Sequence, residues 1–196
     1  TENSTGDLRS STSPADSSVV GQYSEATQAD VSAAIESARN SLTDWSSRCV
    51  TERAAILERA AELFEARTTE FTSLIAKEAG RTLNDGLDEV REAVDFCRYY
   101  AVQATSLMQS EIELPGVTGE TNRLSYAPRG PWLCISPWNF PLAIFTGQIV
   151  ANLAAGNTVV AKPAEQTPLV ARLACDVLKD AGVPEGVINL VNGDGP

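Results

Sequence analysis

Three polar side chains that can act chemically follow two short apolar runs, at the points where strands of a parallel sheet are expected to end. Asn139 follows residues 131–136, and Lys162 and Glu165 follow residues 158–161. Because parallel α/β sheets bind ligands beyond the carboxyl ends of their strands, we expect these side chains at one rim. An amide, an ammonium group and a carboxylate in that position suit a site for a charged dinucleotide and a reacting carbonyl.

The segments around these residues predict a βαβαβ unit. A third apolar run spans residues 187–191, and segments with helical periodicity separate the three runs. Pro141 can occupy the first turn of the first helix, which Gly156 would end in a left-handed conformation. Thr167 is expected to be the N-cap of the second helix and Gly182 to end it. The Gly-x-Gly-x-x-Gly fingerprint is absent, so periodicity alone indicates half of a nucleotide-binding α/β fold.

Three amphipathic helices are predicted before this unit. The first begins at Thr27-x-x-Asp30, which resembles a capping box. The second starts at Thr51 or the next residue and stops at Gly80, with a break allowed near residues 68–69. The third begins at Asn84 or the next residue. The apolar stripes expected on the first and third helices consist of Val31, Ile35, Ala38, Leu42 and Trp45, and of Leu87, Val90, Val94, Cys97 and Ala101.

The remaining segments complete the predicted organisation. Residues 1–19 are rich in Ser, Thr, Asp and Gly, so we expect them to be extended or disordered. Residues 20–110 form the helical part, and residues 111–128 alternate around a Gly-containing turn, which predicts a β-hairpin or two extended arms. Residues 129–196 are the βαβαβ half. The fold class is therefore α/β, with N-terminal helices and half of a Rossmann-like parallel sheet.

Two segments carry a resemblance to a known family. Residues 137–142 (PWNFPL) and 160–168 (VAKPAEQTP) resemble the signature segments of the NAD(P)-dependent aldehyde dehydrogenase superfamily. The resemblance extends from Val20 to the last residue. Within the superfamily, residues 91–101 and 78–83 are most similar to the L-glutamate γ-semialdehyde (Δ1-pyrroline-5-carboxylate) dehydrogenase module of proline utilization A. This resemblance implies NAD-dependent oxidation of that semialdehyde to L-glutamate, the second step of proline catabolism.

The resemblance also implies roles for the residues at the rim. Asn139 matches the asparagine of the family's oxyanion hole; from the residues alone, an Asx-type bond within the turn is its alternative role. Lys162 and Glu165 resemble the pair that holds the adenosine ribose hydroxyls, where a carboxylate favours NAD over NADP; taken singly, each is also a common solvated charge. The other residues implied to border NAD are Ile135, Ser136, Pro137, Trp138, Ala164 and Gly195.

Two further residues are candidates for contacts with the aldehyde. Phe140 is implied to line the substrate tunnel, although a core aromatic beside the sheet is an equally open interpretation. Glu92 interrupts the predicted apolar face of the third helix, and the resemblance places it where a carboxylate can pair with the substrate's α-amino group. A surface charge paired along the helix is the alternative for Glu92.

Composition excludes several other classes of function. The net charge is −11 and the isoelectric point about 4.4, with no basic cluster, which disfavours a nucleic-acid or anionic-membrane partner. No apolar run reaches the length of a membrane span and no leader is visible, so a soluble, cytoplasmic protein is expected.

The spacing of the cysteines Cys49, Cys97, Cys134 and Cys175 matches no metal site, and histidine is absent. We expect Cys97, Cys134 and Cys175 to be buried thiols.

The 196 residues are enough for one domain with a core, but aldehyde dehydrogenases are far longer. The chain is therefore expected to be an N-terminal fragment. The family's catalytic cysteine and its base are expected beyond residue 196, so the chain alone should be inactive. The full-length protein is expected to form a homo-oligomer, and fusion to a proline dehydrogenase domain is an open alternative. Another semialdehyde or betaine aldehyde dehydrogenase, or a non-catalytic structural domain of the family, are the alternative functions.

Overall fold

In the computed structural model, which describes residues 4–194, a β-hairpin and four helices precede a second hairpin and a three-stranded parallel sheet. The helices are α1 (Gln28–Ser47), α2 (Val50–Ala66), α3 (Thr68–Glu78), α4 (Leu83–Met108), α5 (Ala143–Ala154) and α6 (Pro168–Asp180). The strands are β1 (Leu8–Thr12), β2 (Val19–Ser24), β3 (Ile112–Leu114), β4 (Asn122–Leu124), β5 (Pro131–Ile135), β6 (Thr158–Lys162) and β7 (Ile188–Leu190).

The parallel sheet has the order β5-β6-β7, which confirms the predicted βαβαβ unit. Val159 and Ala161 of β6 face the main core, which includes α2, α4, α5 and α6. Val160, between them, faces α1 and packs with Ala38 on the opposite side of the sheet. This alternation follows from the two-residue period of a strand and gives a sheet covered by helices on both faces.

Strand β5 lies at one edge of the sheet and pairs, within residues 4–194, with β6 alone. Large apolar side chains on it are solvent-exposed, Leu133 by 62% and Ile135 by 58%. An edge of this kind offers unpaired backbone groups and apolar surface to another strand. The first strand of the predicted site therefore borders open surface.

The start of the first helix follows its predicted capping pattern, whereas the second helix begins at Val50, one residue before its earliest predicted start. Thr27 Oγ1 accepts a hydrogen bond from the Asp30 N–H at 3.2 Å, and Asp30 Oδ2 accepts one from the Thr27 N–H at 2.8 Å. The predicted break in the second helix is confirmed, because Arg67 alone separates α2 from α3. The predicted stop at Gly80 is also confirmed, with a φ of +68°.

Two residues that were predicted to lie on the buried stripes are exposed, so these two predictions are wrong. Leu87 is 41% exposed and Ile35 is 38% exposed. On α4 the buried stripe passes through Gly86, which packs closely against α3, and Leu87 is rotated by one residue away from it. On α1 the partly buried Ala34, rather than Ile35, packs toward the sheet with Ala38.

The ends of α5 and α6 follow the glycine predictions, whereas their beginnings do not follow the predicted caps. Gly156 and Gly182 have φ values of +83° and +113° directly after the helices. Pro141 lies one residue before the N-cap Leu142 rather than in the first turn. Thr167 is the N-cap of α6, but its hydroxyl makes no capping bond. Both helices are capped by glutamates from α3 and α4, which the local patterns did not indicate.

The two hairpins differ in how well the sequence indicates them. Strands β3 and β4 pair antiparallel, as predicted for residues 111–128. Strands β1 and β2 also pair antiparallel, although residues 1–19 were expected only to be extended or disordered. The N-terminal hairpin packs on α3 and α6, where Gly21 lies against Leu169. Among the described residues, no helix is long and apolar enough to cross a membrane.

Candidate functional site

The connection between β5 and α5 leaves the carboxyl end of the sheet and carries Asn139. It begins at the buried Ser136, whose N–H donates to the Lys162 carbonyl oxygen at 3.2 Å. Trp138 and Asn139 then turn outward, with Trp138 51% exposed and Asn139 also exposed. The amide of Asn139 is thus presented at the surface rather than sealed in the core, as an amide that meets a ligand must be.

Two residues that the sequence analysis did not single out hold this connection. A guanidinium N–H of Arg81 donates to the Asn139 carbonyl oxygen, and the same guanidinium lies 4.6 Å from the centre of the Phe140 ring. Glu89 of α4 accepts hydrogen bonds from the N–H groups of Leu142 and Ala143 at 3.0 and 3.3 Å. The start of α5 is therefore capped by a carboxylate from another helix.

The connection between β6 and α6 carries the predicted ribose-binding pair. Lys162 Nζ lies 3.7 Å from Glu165 Oε2 and donates to the Pro163 carbonyl oxygen at 3.2 Å. The Glu165 carboxyl has a lowered pKa, chiefly because of its own backbone N–H, with contributions from the Gln166 amide and Lys162. Ala164, between them, is buried. Lys162 and Glu165 thus form a charged pair in which the carboxylate is ionised at neutral pH.

This second connection is also held by a distant glutamate. Glu78 of α3 accepts hydrogen bonds from the Leu169 and Val170 N–H groups at 3.0 and 2.9 Å, at the start of α6. It also accepts one from the Ser11 hydroxyl at 2.8 Å. Burial raises the pKa of the Glu78 carboxyl, and these three donors act in the opposite direction. The N-terminal hairpin adds the Tyr23 hydroxyl, which donates to the Glu165 carbonyl oxygen at 3.4 Å.

The two connections start side by side. In the parallel register Ile135 is opposite Lys162, so the chain leaves both strands at the same edge of the sheet. Exposed apolar groups of Ile135 and Trp138 border the first connection, and the Lys162 and Glu165 pair lies on the second. A carboxylate that accepts hydroxyl hydrogens beside an ammonium donor fits the sugar of a dinucleotide. The residues present therefore fit the implied cofactor.

Other candidates of the sequence analysis lie as follows. Phe140 is half-buried beneath Arg81. Glu92 is exposed on α4, and the expectation that it interrupts the buried face is wrong: that face is interrupted by Glu89, three residues earlier and 1% exposed. Glu92 lies off the stripe because each helical residue turns about 100° from the previous one. Gly195 lies outside the described residues.

The thiols are not arranged as a reactive or metal-binding group. Cys97 and Cys134 are buried as predicted, and Cys175 is half-buried. Burial raises the pKa of the Cys97 thiol to about 12 and also raises that of Cys134. Cys49 is exposed, with its Sγ 3.0 Å from Thr51 Oγ1. Residues 4–194 contain no group of histidine, cysteine and acidic side chains that can hold a metal ion.

Comparison with known proteins finds a matching family and similar structures. The model of the aldehyde dehydrogenase family matches residues 1–196. The bifunctional protein PutA of Klebsiella aerogenes is 47% identical over 191 residues, which cover 97% of this chain and 14% of that protein.

Two solved structures are similar over 98% of this chain. A variant of the 1-pyrroline-5-carboxylate dehydrogenase of Thermus thermophilus has a TM-score of 0.93 and 37% identity, and 37% of it is covered. An NAD-dependent benzaldehyde dehydrogenase of Corynebacterium glutamicum has a TM-score of 0.89 and 34% identity, with 42% of it covered. The chain thus spans a minor part of each of these proteins.

Proposed function

The chain belongs to the aldehyde dehydrogenase family, and from this premise we propose that it supplies part of the cofactor and oxyanion sites of an NAD-dependent L-glutamate γ-semialdehyde dehydrogenase. The observation that carries the proposal is the register of β5 and β6: Ile135 is opposite Lys162, so the connection with Asn139 and the connection with the Lys162–Glu165 pair leave the same edge of the sheet. The names of the PutA and 1-pyrroline-5-carboxylate dehydrogenase relatives support the substrate. The product is L-glutamate.

In this proposal Asn139 stabilises the oxygen of the reacting carbonyl. Its side-chain N–H group donates to that oxygen as negative charge develops, and one such donor contributes about 2.7–4 kcal/mol to lowering the barrier. The exposed position of Asn139 leaves the amide free to approach a ligand. The bound NAD supplies the hydride acceptor of the oxidation.

The second connection binds the cofactor in this proposal. Glu165 accepts from the adenosine ribose hydroxyls and Lys162 donates to them, with their own ion pair holding both side chains at the rim. The ionised carboxylate would repel a 2′-phosphate, which favours NAD over NADP. The residues proposed to border the cofactor are Ile135, Ser136, Pro137, Trp138, Ala164 and Gly195.

Substrate recognition is proposed for two residues. Glu92 is exposed, so its carboxylate is available to pair with the α-amino group that distinguishes glutamate semialdehyde from simple aldehydes. Phe140 would line the tunnel, with the Arg81 guanidinium against its ring. If Glu92 has this role, Glu92→Ala raises KM for glutamate semialdehyde far more than for an aliphatic aldehyde. Equal effects on both substrates would remove this part of the proposal.

The chain is proposed to be the N-terminal part of a longer enzyme, with the nucleophilic cysteine and the base outside residues 1–196. None of its four cysteines lies in a Gly-Gln-x-Cys context, and burial keeps Cys97 and Cys134 protonated. We therefore expect no aldehyde oxidation by the 196-residue chain. NAD-dependent turnover by this polypeptide would contradict the assignment of the nucleophile.

An exposed hairpin and the bifunctional relatives indicate partners for the full-length protein. The β3–β4 hairpin exposes Ile112, Leu114, Val117 and Leu124, which suits an arm that joins subunits of a homo-oligomer. The bifunctional relative supports a proline dehydrogenase domain in the same polypeptide. A cytoplasmic location stays a prediction.

The test is an assay of the full-length protein with L-glutamate γ-semialdehyde, benzaldehyde and an aliphatic semialdehyde, each with NAD and NADP. The proposal predicts the highest kcat/KM for L-glutamate γ-semialdehyde with NAD. A higher kcat/KM for benzaldehyde would transfer the proposal to another substrate. Absence of both NAD binding and turnover would favour a structural domain of the family.

A further inference from the structure

A buried carboxylate on α4 has no part in the proposed chemistry. Glu89 is 1% exposed, and its Oε2 accepts the Leu142 and Ala143 N–H hydrogens. Its Oε1 lies 3.8 Å from Arg81 Nε and accepts no hydrogen bond from residues 4–194. Desolvation raises the pKa of the Glu89 carboxyl, whereas the two N–H donors and Arg81 lower it.

Arg81, the partner of this carboxylate, contacts the opposite end of the same turn. Its guanidinium donates to the Asn139 carbonyl oxygen, lies over the Phe140 ring and is 3.8 Å from Asp85. Glu89 and Arg81 together therefore hold the backbone from Asn139 to Ala143 at both ends. The Asn139 side chain takes no part in these hydrogen bonds and is exposed at the edge of the sheet.

A simple cap for α5 would not need a buried charge. A short polar side chain at the N-cap can accept from the first N–H groups, yet Leu142 occupies that position. Burying a carboxylate is costly unless it is paired and hydrogen-bonded. What Glu89 adds over a local cap is a fixed link between the turn and α4, a long helix packed against both α2 and α5.

We infer that Glu89 and Arg81 are positioning residues, which fix the Asn139 turn so that its amide meets the developing oxyanion. The inference rests on the proposed function of Asn139. Glu78 has the matching position in the second connection, where it caps α6 behind Lys162 and Glu165. The two glutamates should therefore affect different steps: Glu89 acts on the reaction of the bound aldehyde, and Glu78 on cofactor affinity.

The first test measures kcat at saturating NAD and Kd for NAD in the full-length protein. Glu89→Gln and Arg81→Met should lower kcat by about 10- to 100-fold, since a misplacement of about 1 Å has an effect of this size. Their Kd for NAD should stay within about twofold of the wild-type value. Glu78→Gln should show the opposite split, with a larger change in Kd than in kcat. Arg81→Met removes the contact with the Asn139 carbonyl oxygen but leaves the hydrogen bonds of Glu89 to the start of α5. Comparing the two variants therefore separates the effects of these two contacts.

The matched control is Glu65→Gln, which removes an exposed ion pair with Arg98 at 2.9 Å. It makes the same chemical change between α2 and α4 and should alter neither kcat nor Kd. The inference is overturned if Glu89→Gln leaves kcat unchanged, or if Glu89→Gln and Glu78→Gln change kcat and Kd in the same proportion. The latter result would indicate general loss of structure.

A second measurement, on the 196-residue chain, does not depend on activity. Glu89→Gln should speed hydrogen exchange at the Leu142 and Ala143 amides and leave the Leu169 and Val170 amides at wild-type rates. Equal acceleration at both helix starts, or none, would contradict the local role. If the wild-type enzyme oxidises no aldehyde, the proposed function fails in the wild-type assay itself, whereas the exchange experiment still decides whether Glu89 fixes the turn.

Discussion

The two strand-to-helix connections of the parallel sheet share one design but differ in openness. The first places Trp138 and Asn139 in solvent and is held by Glu89 of α4 and by Arg81, which lies just before α4. The second is compact, with Ala164 and Thr167 buried, and is held by Glu78 of α3. An open turn suits a group that meets a reacting substrate, and a compact one suits a preformed cofactor contact.

The comparison also shows that the sheet alone does not build the rim. In both connections the first N–H groups of the following helix are satisfied by a glutamate from the N-terminal helices. The long helical segment before the sheet therefore sets the shape of the site, although none of its residues except Glu92 was predicted to belong to it. The following changes test this division between the two connections.

The largest effect is expected at the first connection. Asn139→Ala in the full-length enzyme should lower kcat by about 100- to 1,000-fold, because an oxyanion donor is lost. The Kd for NAD should remain close to the wild-type value, as measured by titration. A large rise in Kd with an unchanged kcat would reverse the roles assigned to the two connections.

A smaller effect is expected at the second connection. Glu165→Ala should weaken NAD binding by about 10- to 100-fold, the range that corresponds to loss of hydrogen bonds to a charged group. At saturating NAD, kcat should fall far less than in Asn139→Ala. The variant should also discriminate less against NADP, because the repelling carboxylate is gone. Unchanged NAD and NADP affinities would remove Glu165 from the cofactor site.

Helix caps give a third contrast, now in stability. Thr27→Ala removes an observed capping box and should lower the free energy of unfolding by about 1 kcal/mol. Thr167→Val, which replaces the hydroxyl by a methyl group of similar size, should not lower it, since the Thr167 hydroxyl is buried and finds no hydrogen-bond partner among the described residues. Urea denaturation of both variants measures the difference. Equal losses would mean that Thr167, and not Glu78 alone, caps α6.

The last contrast is a pH dependence of stability that both connections share. Burial raises the pKa of the Glu78 and Glu89 carboxyls above 4.5. Each carboxyl therefore binds its proton more tightly in the folded state than in the unfolded state. Their contribution to stability is therefore fully present below pH 4.5 and is lost as the pH rises through the folded-state pKa. A glutamine at either position does not titrate.

The measurement is the unfolding free energy of wild type, Glu78→Gln and Glu89→Gln between pH 4 and pH 7.5. The variants should gain on the wild type as the pH rises, by about 1.4 kcal/mol for each unit by which a carboxyl pKa is raised. A gap that widens against the variants would mean that hydrogen bonding outweighs burial at that carboxyl.

The sequence predicts what depends on local pattern. Apolar runs predict the three parallel strands, and glycines predict the ends of α5 and α6. Both signals are local, because a strand is recognised from consecutive residues and a positive φ from a single glycine. The strand ends then indicate that the two connections leave the same edge of the sheet, as the register of Ile135 with Lys162 confirms; that Asn139 lies close to Lys162 and Glu165 stays a prediction. The capping box at Thr27 is predicted for the same reason.

What the sequence does not predict depends on contacts between distant residues. From the sequence, Glu89 is expected on the solvent-exposed face of an amphipathic helix. Only the packing of α4 against α5 shows that it faces inward. Glu78 likewise lies far along the chain from the Leu169 and Val170 amides that it caps. The N-terminal hairpin was missed because β1 has few apolar residues and is stabilised by pairing with β2 and by the buried Ser11.

The most direct test of the shared rim is an NMR titration of the isotope-labelled 196-residue chain with NAD, following backbone amide shifts. If both connections line one cofactor site, the amides of residues 136–139 and 162–165 shift together and saturate with one Kd, which Glu165→Ala weakens. Shifts confined to one connection, or saturation at two different NAD concentrations, would contradict a common site.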